Sequence, residues 1–88
     1  LVAYELSQNY PNPFNPSTTI RFSVPHSEHV RITLYTLLGE KVAVLVSRRF
    51  DAGRHEVKWD SQGFAGGLYF CTMQAGEFIQ SFKLTLMK

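Results

Sequence analysis

Apolar residues recur at every second position along most of this chain. Ile20, Phe22 and Val24 alternate with Arg21 and Ser23, and Val30, Ile32 and Leu34 alternate with Arg31 and Thr33. His55, Val57 and Trp59 alternate with Arg54, Glu56, Lys58 and Asp60, and Phe82, Leu84 and Leu86 alternate with Lys83 and Thr85. Successive side chains of a strand point to opposite faces, so each run predicts a strand with one face on a core and one in water. Tyr69, Cys71 and Met73 share one face of a further strand. The stretch Tyr35 to Val46 has the length of a helix, but Gly39 interrupts it. Val42, Val44 and Val46 are β-branched, which favours a strand over Val42-Ala43-Val44-Leu45-Val46. Turn signals separate the runs: Pro25-His26-Ser27-Glu28, Leu38-Gly39-Glu40-Lys41, Asp51-Ala52-Gly53, Asp60-Ser61-Gln62-Gly63, Ala65-Gly66-Gly67 and Ala75-Gly76-Glu77. With a short first strand near Ala3 to Leu6 the count is about seven. The pattern predicts an all-β fold, an immunoglobulin-like seven-stranded antiparallel β-sandwich.

One segment breaks the alternation. Residues 9–16 read Asn-Tyr-Pro-Asn-Pro-Phe-Asn-Pro, with three prolines and three asparagines in eight positions. Pro11, Pro13 and Pro16 each lack an N–H and fix φ near −65°, so no helix runs through them. Tyr10, Asn12 and Asn15 precede prolines and are pushed towards extended geometry. The segment is a stiff connector that loses less entropy on folding than an ordinary loop. Tyr10 and Phe14 are the side chains it can aim at a core, plugging one end of the sandwich, with the asparagines closing turns.

Composition narrows the function. A chain of 88 residues makes one domain spanning residues 1–88. Residues 1–17 hold the short first strand and the Pro/Asn-rich connector, and residues 18–88 hold the remaining strands. Hydrophobic content of 44% with 18% charged residues fits a folded module. A net charge of +2, with only Arg48 and Arg49 adjacent, is too weak to imply nucleic acid. The single cysteine, Cys71, cannot form an intrachain disulfide. No apolar run approaches the ~20 residues of an integral membrane segment. The chain opens on Leu1-Val2-Ala3-Tyr4 with neither an initiator methionine nor a basic, apolar leader, and reads as the C-terminal piece of a larger protein.

Catalytic chemistry finds little support. His26 and His29 lie three apart with only Glu28 beside them, whereas zinc takes three or four protein ligands, so the reading is a solvated loop. His55 is in phase with Val57 and Trp59, as a partly buried, hydrogen-bonded histidine would be, although Asp51 and Asp60 flank its strand. No serine sits in a nucleophile elbow, and Gly63 to Gly67 lacks the lysine and hydroxyl of a phosphate loop. Cys71 reads as a buried, inert thiol. Trp59 can stack on a sugar, but its phase places it in the core. Arg48 and Arg49 read as a solvated strand end, and Asn15-Pro16-Ser17 is no glycosylation acceptor because proline holds the middle position. No catalytic residue, cofactor or metal is expected, and the chain does not read as an enzyme.

Several blocks together resemble a known family. Leu6-Ser7-Gln8 followed by N-Y-P-N-P-F-N-P-S-T-T-I-R-F matches its opening signature. Val30 to Tyr35 with Leu38-Gly39 matches a strand leading into a "YxxLG" turn, Ala52 to Asp60 matches "aGxhxvxWd", and Gly67-Leu68-Tyr69-Phe70 matches "GxYf". The closing Lys83 to Lys88 is similar to "KMxLxK", with Leu84 in place of the commoner methionine. In these blocks, in this order, the chain resembles the type A C-terminal sorting domain of type IX (Por) secretion cargo in Bacteroidetes and related bacteria. The resemblance implies a seven-stranded sandwich whose framework includes Tyr10, Pro11, Pro13, Phe14, Pro16, Gly39, Gly53, Trp59, Gly67 and Tyr69. It also implies a covalently linked N-terminal cargo carrying a Sec-type signal, export through the periplasm to the cell surface or extracellular space, and recognition by an outer-membrane translocon. A sortase-like peptidase then removes the domain, and the cargo is attached to anionic lipopolysaccharide or released.

Recognition of a folded domain should use exposed features that the core does not need. The candidates are Asn9, Asn12 and Asn15 on the connector and Lys83 and Lys88 on the closing strand, at opposite ends of the chain. Exposed sheet edges also permit strand addition, including a homodimer by edge-strand pairing. The competing reading is an immunoglobulin-like accessory or carbohydrate-binding module of a secreted enzyme. An exposed aromatic row would favour it, and burial of Trp59 and Tyr69 would weaken it.

Overall fold

The period-two runs become seven strands in a computed structural model that describes residues 2–87. These are β1 (Glu5–Leu6), β2 (Ser17–Val24), β3 (Glu28–Thr36), β4 (Lys41–Phe50), β5 (Gly53–Asp60), β6 (Gly67–Ala75) and β7 (Phe78–Leu86). They form two antiparallel sheets, ordered β1-β2-β5 and β4-β3-β6-β7. The fold is all-β, and no helix occurs among the described residues.

Local chemistry explains the boundaries. Helix is refused between Tyr35 and Val46 because Gly39 takes φ 88°, a left-handed conformation that suits glycine. Thr36 closes the turn, its N–H donating to Glu40 O at 2.8 Å and its carbonyl accepting from Gly39 N at 3.0 Å. The chain then returns as β4, which runs to Phe50 rather than stopping at Val46 because β3 offers it partners back to Glu28. Register shifts interrupt that pairing between Ile32 and Thr33 and between Leu34 and Tyr35. A bulge breaks strict alternation, which accounts for the uninterrupted apolar run from Val42 to Val46. The first strand is shorter than expected, Glu5–Leu6 instead of Ala3 to Leu6. Ala3 is held by a side chain, its carbonyl accepting from Ser23 Oγ at 2.6 Å.

The core lies between the sheets. Ile20, Phe22 and Val24 of β2 share it with Val30, Ile32 and Leu34 of β3, Cys71 and Met73 of β6, and Leu84 and Leu86 of β7. Aromatic clusters close it at two places. Trp59 has Phe14, Phe64 and Tyr69 around it at centroid distances of 5.4, 5.2 and 5.7 Å. Phe22, Phe50 and His55 form the second cluster, with Phe22–Phe50 at 5.1 Å and Phe50–His55 at 4.9 Å. His55 is half-buried there, and its Nε2 donates to Asp51 O at 2.8 Å.

Candidate functional site

The proline segment straddles one open side of the two sheets and joins them. On the first sheet, Tyr10 and Thr19 exchange backbone hydrogen bonds of 2.9 Å in an antiparallel bridge. On the second, Phe14 N donates to Thr85 O at 3.1 Å and Met87 N donates to Phe14 O at 2.9 Å, forming a parallel bridge between Phe14 and Leu86. The Tyr10–Pro11, Asn12–Pro13 and Asn15–Pro16 peptides are cis.

Bridge partners share a face, which decides where the two aromatics go. Leu86 points into the core, and Phe14 follows it to 2% exposure. Thr19 lies between the buried Thr18 and Ile20 and alternates outward, so Tyr10 goes outward with it and is 73% exposed. Phe14 therefore enters the core, whereas Tyr10, expected to be aimed at the core as well, points to solvent.

The asparagines divide in the same way. Asn9 is buried, contrary to its expected place on an exposed surface. Its Nδ2 donates to Pro11 O at 3.1 Å and Thr18 Oγ1 at 3.0 Å, and Thr18 Oγ1 donates to Pro11 O at 2.8 Å. Buried polar groups must find such partners, and here they fix the turn. Asn12 is exposed, and its Oδ1 accepts from Thr85 N at 3.0 Å, capping the outer edge of β7. Asn15 is exposed. Pro16 O accepts from Ser61 N at 2.8 Å and Ser61 Oγ at 2.5 Å, tying the segment to the turn after β5.

Lys83 is exposed on β7, and its carbonyl accepts from Gln8 Nε2 at 2.9 Å. Lys88 lies outside the described residues. The connector and the closing strand, at opposite ends of the sequence, are thus adjacent in space. Asn12 and Lys83 belong to one exposed region, with Asn15 exposed three residues further along the connector, while Asn9, Phe14 and Thr18 hold it from beneath. The sequence reading missed Gln8, Thr18 and Ser61, whose partners lie far along the chain. It also missed Tyr4, whose alternation with Leu6 was the available signal. Tyr4 stacks on Phe78 at 5.0 Å and its hydroxyl donates to the Glu28 carboxylate, which pushes the Tyr4 phenol above its ordinary value. His26 Nε2 lies 3.2 Å from that carboxylate.

Elsewhere the groups that attract chemical suspicion have structural partners. His29 Nε2 meets Ser47 Oγ at 2.9 Å, so His26 and His29 face different neighbours. No cluster of three metal-ligating side chains occurs among the described residues. Cys71 is fully buried and desolvation pushes its thiol up to about 12, far from a nucleophile's range. An open depression of about 530 Å³ is lined in part by Arg21, Arg54, His55 and Glu56. Within it Arg21 pairs with Glu56 at 3.2 Å. Arg48 lies 3.8 Å over the Phe50 ring, and Arg49 donates to Ser27 Oγ at 3.1 Å. Trp59 and Tyr69 are both buried, which weakens the carbohydrate-binding alternative.

Among the motif residues, Gly39, Gly53 and Gly67 take positive φ, Trp59 and Tyr69 are buried, and the proline segment forms a strap bonded to both sheets. No helix among the described residues is long and apolar enough to cross a membrane. No curated protein and no solved structure matches the chain significantly. The family model of the secretion system C-terminal sorting domain matches residues 8–87, from the glutamine that caps β7 to the methionine that bonds Phe14. The chain belongs to that family, the sorting domains by which cargo proteins are exported through the type IX secretion system to the cell surface or beyond.

Proposed function

We propose that residues 1–88 form one domain at the C-terminal end of a larger exported protein, without catalytic activity of its own. The cargo crosses the periplasm, an outer-membrane translocon reads this domain in its folded state, and a sortase-like peptidase removes it. The observation that carries this reading is the junction of the strap with β7. Asn12 and Lys83 are brought onto one exposed region, through Thr85 and Gln8, only when both ends of the domain are folded together. An unfolded tail would present them far apart. The outer edge of β7 from Phe78 to Phe82 adds a stretch for pairing with a partner strand or a second copy, since the strap's bonds begin at Lys83 O.

An immunoglobulin-like sandwich is the finer description we infer for the fold. Two features support it. One is the strand order, with β1-β2-β5 facing a sheet that contains β3-β6-β7. The other is Tyr69, near the start of β6, whose hydroxyl donates to Ala65 O at 2.5 Å, as in a tyrosine corner.

The test is a fusion of residues 1–88 to a periplasmic reporter in a host that carries the translocon. The reporter should reach the surface or medium. Lys83→Ala and Asn12→Ala should leave it in the periplasm while the domain still melts cooperatively. A wild-type fusion that stays inside the cell would overturn the sorting reading. Normal export of both variants would overturn only the assignment of the surface.

A further inference from the structure

The two outer faces of this fold differ in composition. Cross-strand register assigns Arg21, Arg54, Glu56, Lys58 and Asp60 to the outside of the three-stranded sheet, where Arg21 faces Glu56 and the charges are mixed. The outside of the four-stranded sheet follows from the partners of the buried Val30, Ile32 and Leu34. The residues between them, Arg31, Thr33 and Tyr35, pair through Gln74, Thr72 and Phe70 with Ile79, Ser81 and Lys83. On the other flank Arg31 pairs with Ser47, Thr33 with Val44, Tyr35 with Lys41 and His29 with Arg49.

Two properties separate this face from the opposite one. The first is charge. Arg31, Lys41, Arg49 and Lys83 all lie on it, and they outnumber the carboxylates of these strands and the turns that join them, which are Glu28 in β3 and Glu40 and Glu77 in the turns at opposite ends of the sheet. Glu28 pairs with the buried Phe50 and is held by Tyr4, away from this face. The second is apolar exposure. Among the described residues, seven large hydrophobics are exposed, and six of them (Leu37, Leu38, Val44, Leu68, Ile79 and Met87) belong to this sheet or its rim. Leu38 reaches 90% exposure in the β3–β4 turn. Half-exposed Tyr35 and Phe70, paired with each other, lie between Lys41 and Lys83. A shallow concavity of about 290 Å³, lined by His29, Arg31, Gln74 and Gly76, lies on the same side.

We propose that this face, centred on Tyr35, Leu68 and Phe70, docks an export partner whose own surface is acidic around an apolar centre. The proposal rests on the sorting reading above and gives that reading a partner chemistry. Apolar centres with charged rims are the anatomy of protein interfaces, and a cationic rim selects an anionic counterpart. A glycan is disfavoured because Leu37, Leu38, Val44 and Leu68 offer it no hydrogen bonds. A second copy is disfavoured because two such faces would bring Arg31, Lys41, Arg49 and Lys83 against their own kind. The face is continuous with the strap junction, since Lys83 and Thr85 belong to both.

The experiment uses the reporter fusion in the same host with two paired variants. Arg31→Glu with Lys41→Glu reverses the rim, and Arg54→Glu with Lys58→Glu reverses two charges on the opposite face. Like-charge contacts at a docking rim weaken it by well over about ten-fold, so export of the first variant should fall by at least that factor. The second should stay near wild type, and both should melt cooperatively. A photoreactive amino acid replacing Leu68 should give one discrete protein adduct that the first variant loses. Export of the first variant at the wild-type level, an adduct with polysaccharide, or a cargo–cargo adduct would each overturn the docking proposal while wild-type export leaves the sorting reading standing. Failure of the wild-type fusion to be exported would overturn both.

Discussion

Phe14→Ala tests whether the strap is part of the fold. Phe14 is 2% exposed, its ring lies 5.4 Å from that of Trp59, and its backbone is bonded to Thr85 and Met87. Burying a phenylalanine removes about 150–250 Å² from water, which at ~25 cal/mol/Å² amounts to about 4–6 kcal/mol. Measured phenylalanine-to-alanine losses in cores run at about 3–5 kcal/mol because the site partly relaxes. A chain of this length has about 4–13 kcal/mol in total. The variant should therefore lose between a quarter and nearly all of its stability. Denaturant unfolding followed by tryptophan fluorescence reads this directly, since Trp59 is the only tryptophan and touches Phe14. At ~4–8 °C per kcal/mol the melting temperature should fall by more than about 12 °C. Phe14→Leu, which keeps most of the volume, should lose much less. A Phe14→Ala variant within about 1 kcal/mol of wild type would refute the claim that the strap closes the core.

Other outcomes follow from the same geometry. The Cys71 thiol, pushed by burial to about 12, should resist a disulfide reagent at about pH 8 in native protein and react once unfolded. Its folded-state pKa lies above the unfolded one, so its contribution is complete below the ordinary thiol range and is lost as pH rises towards 12. Tyr4 has the same sign, because its hydrogen bond to Glu28 favours the neutral phenol. The difference in phenolate absorbance between wild type and Tyr4→Phe should have its midpoint above 10.0, and a midpoint at or below that value would remove the Glu28 bond from the account. Gly53 has φ 134° with nothing within 4 Å of an added Cβ, so Gly53→Ala should destabilise by backbone strain alone, about 1–3 kcal/mol in denaturant melts. Deleting residues 83–88 should unfold the domain outright, since it removes Leu84 and Leu86 from the core and the strap's partners with them. A deletion product with native circular dichroism would contradict that.

The strands were legible because alternation is local. Trp59 next to Val57, or Leu84 next to Leu86, declares its face within a few residues. The glycine turns were legible for the same reason. What could not be read was decided by partners far along the chain. Nothing near Tyr10 says that it pairs with an outward-facing Thr19, and nothing near Phe14 says that it pairs with an inward-facing Leu86. Asn9 and Asn12 look alike in sequence, yet one is sealed against Thr18 and the other caps Thr85. The apolar bias of one sheet face was also hidden, because only register places Leu68, Val44 and Ile79 on the same face.

The same long-range pairing bears on how a sorting domain works. Thr85 and Asn12 are 73 residues apart and hydrogen-bonded, and Gln8 and Lys83 are 75 apart. The strap cannot seat until β7, the last strand, has paired with β6, because Thr85 and Leu86 are its anchors. Closing so long a loop is slow relative to forming hairpins such as β6–β7, so the strap junction is expected to complete late. Until then Phe14 is exposed and Asn12 lies away from Lys83. A partner that reads the joined surface therefore distinguishes a finished domain from an unfinished one, using contacts that stabilise the fold in any case.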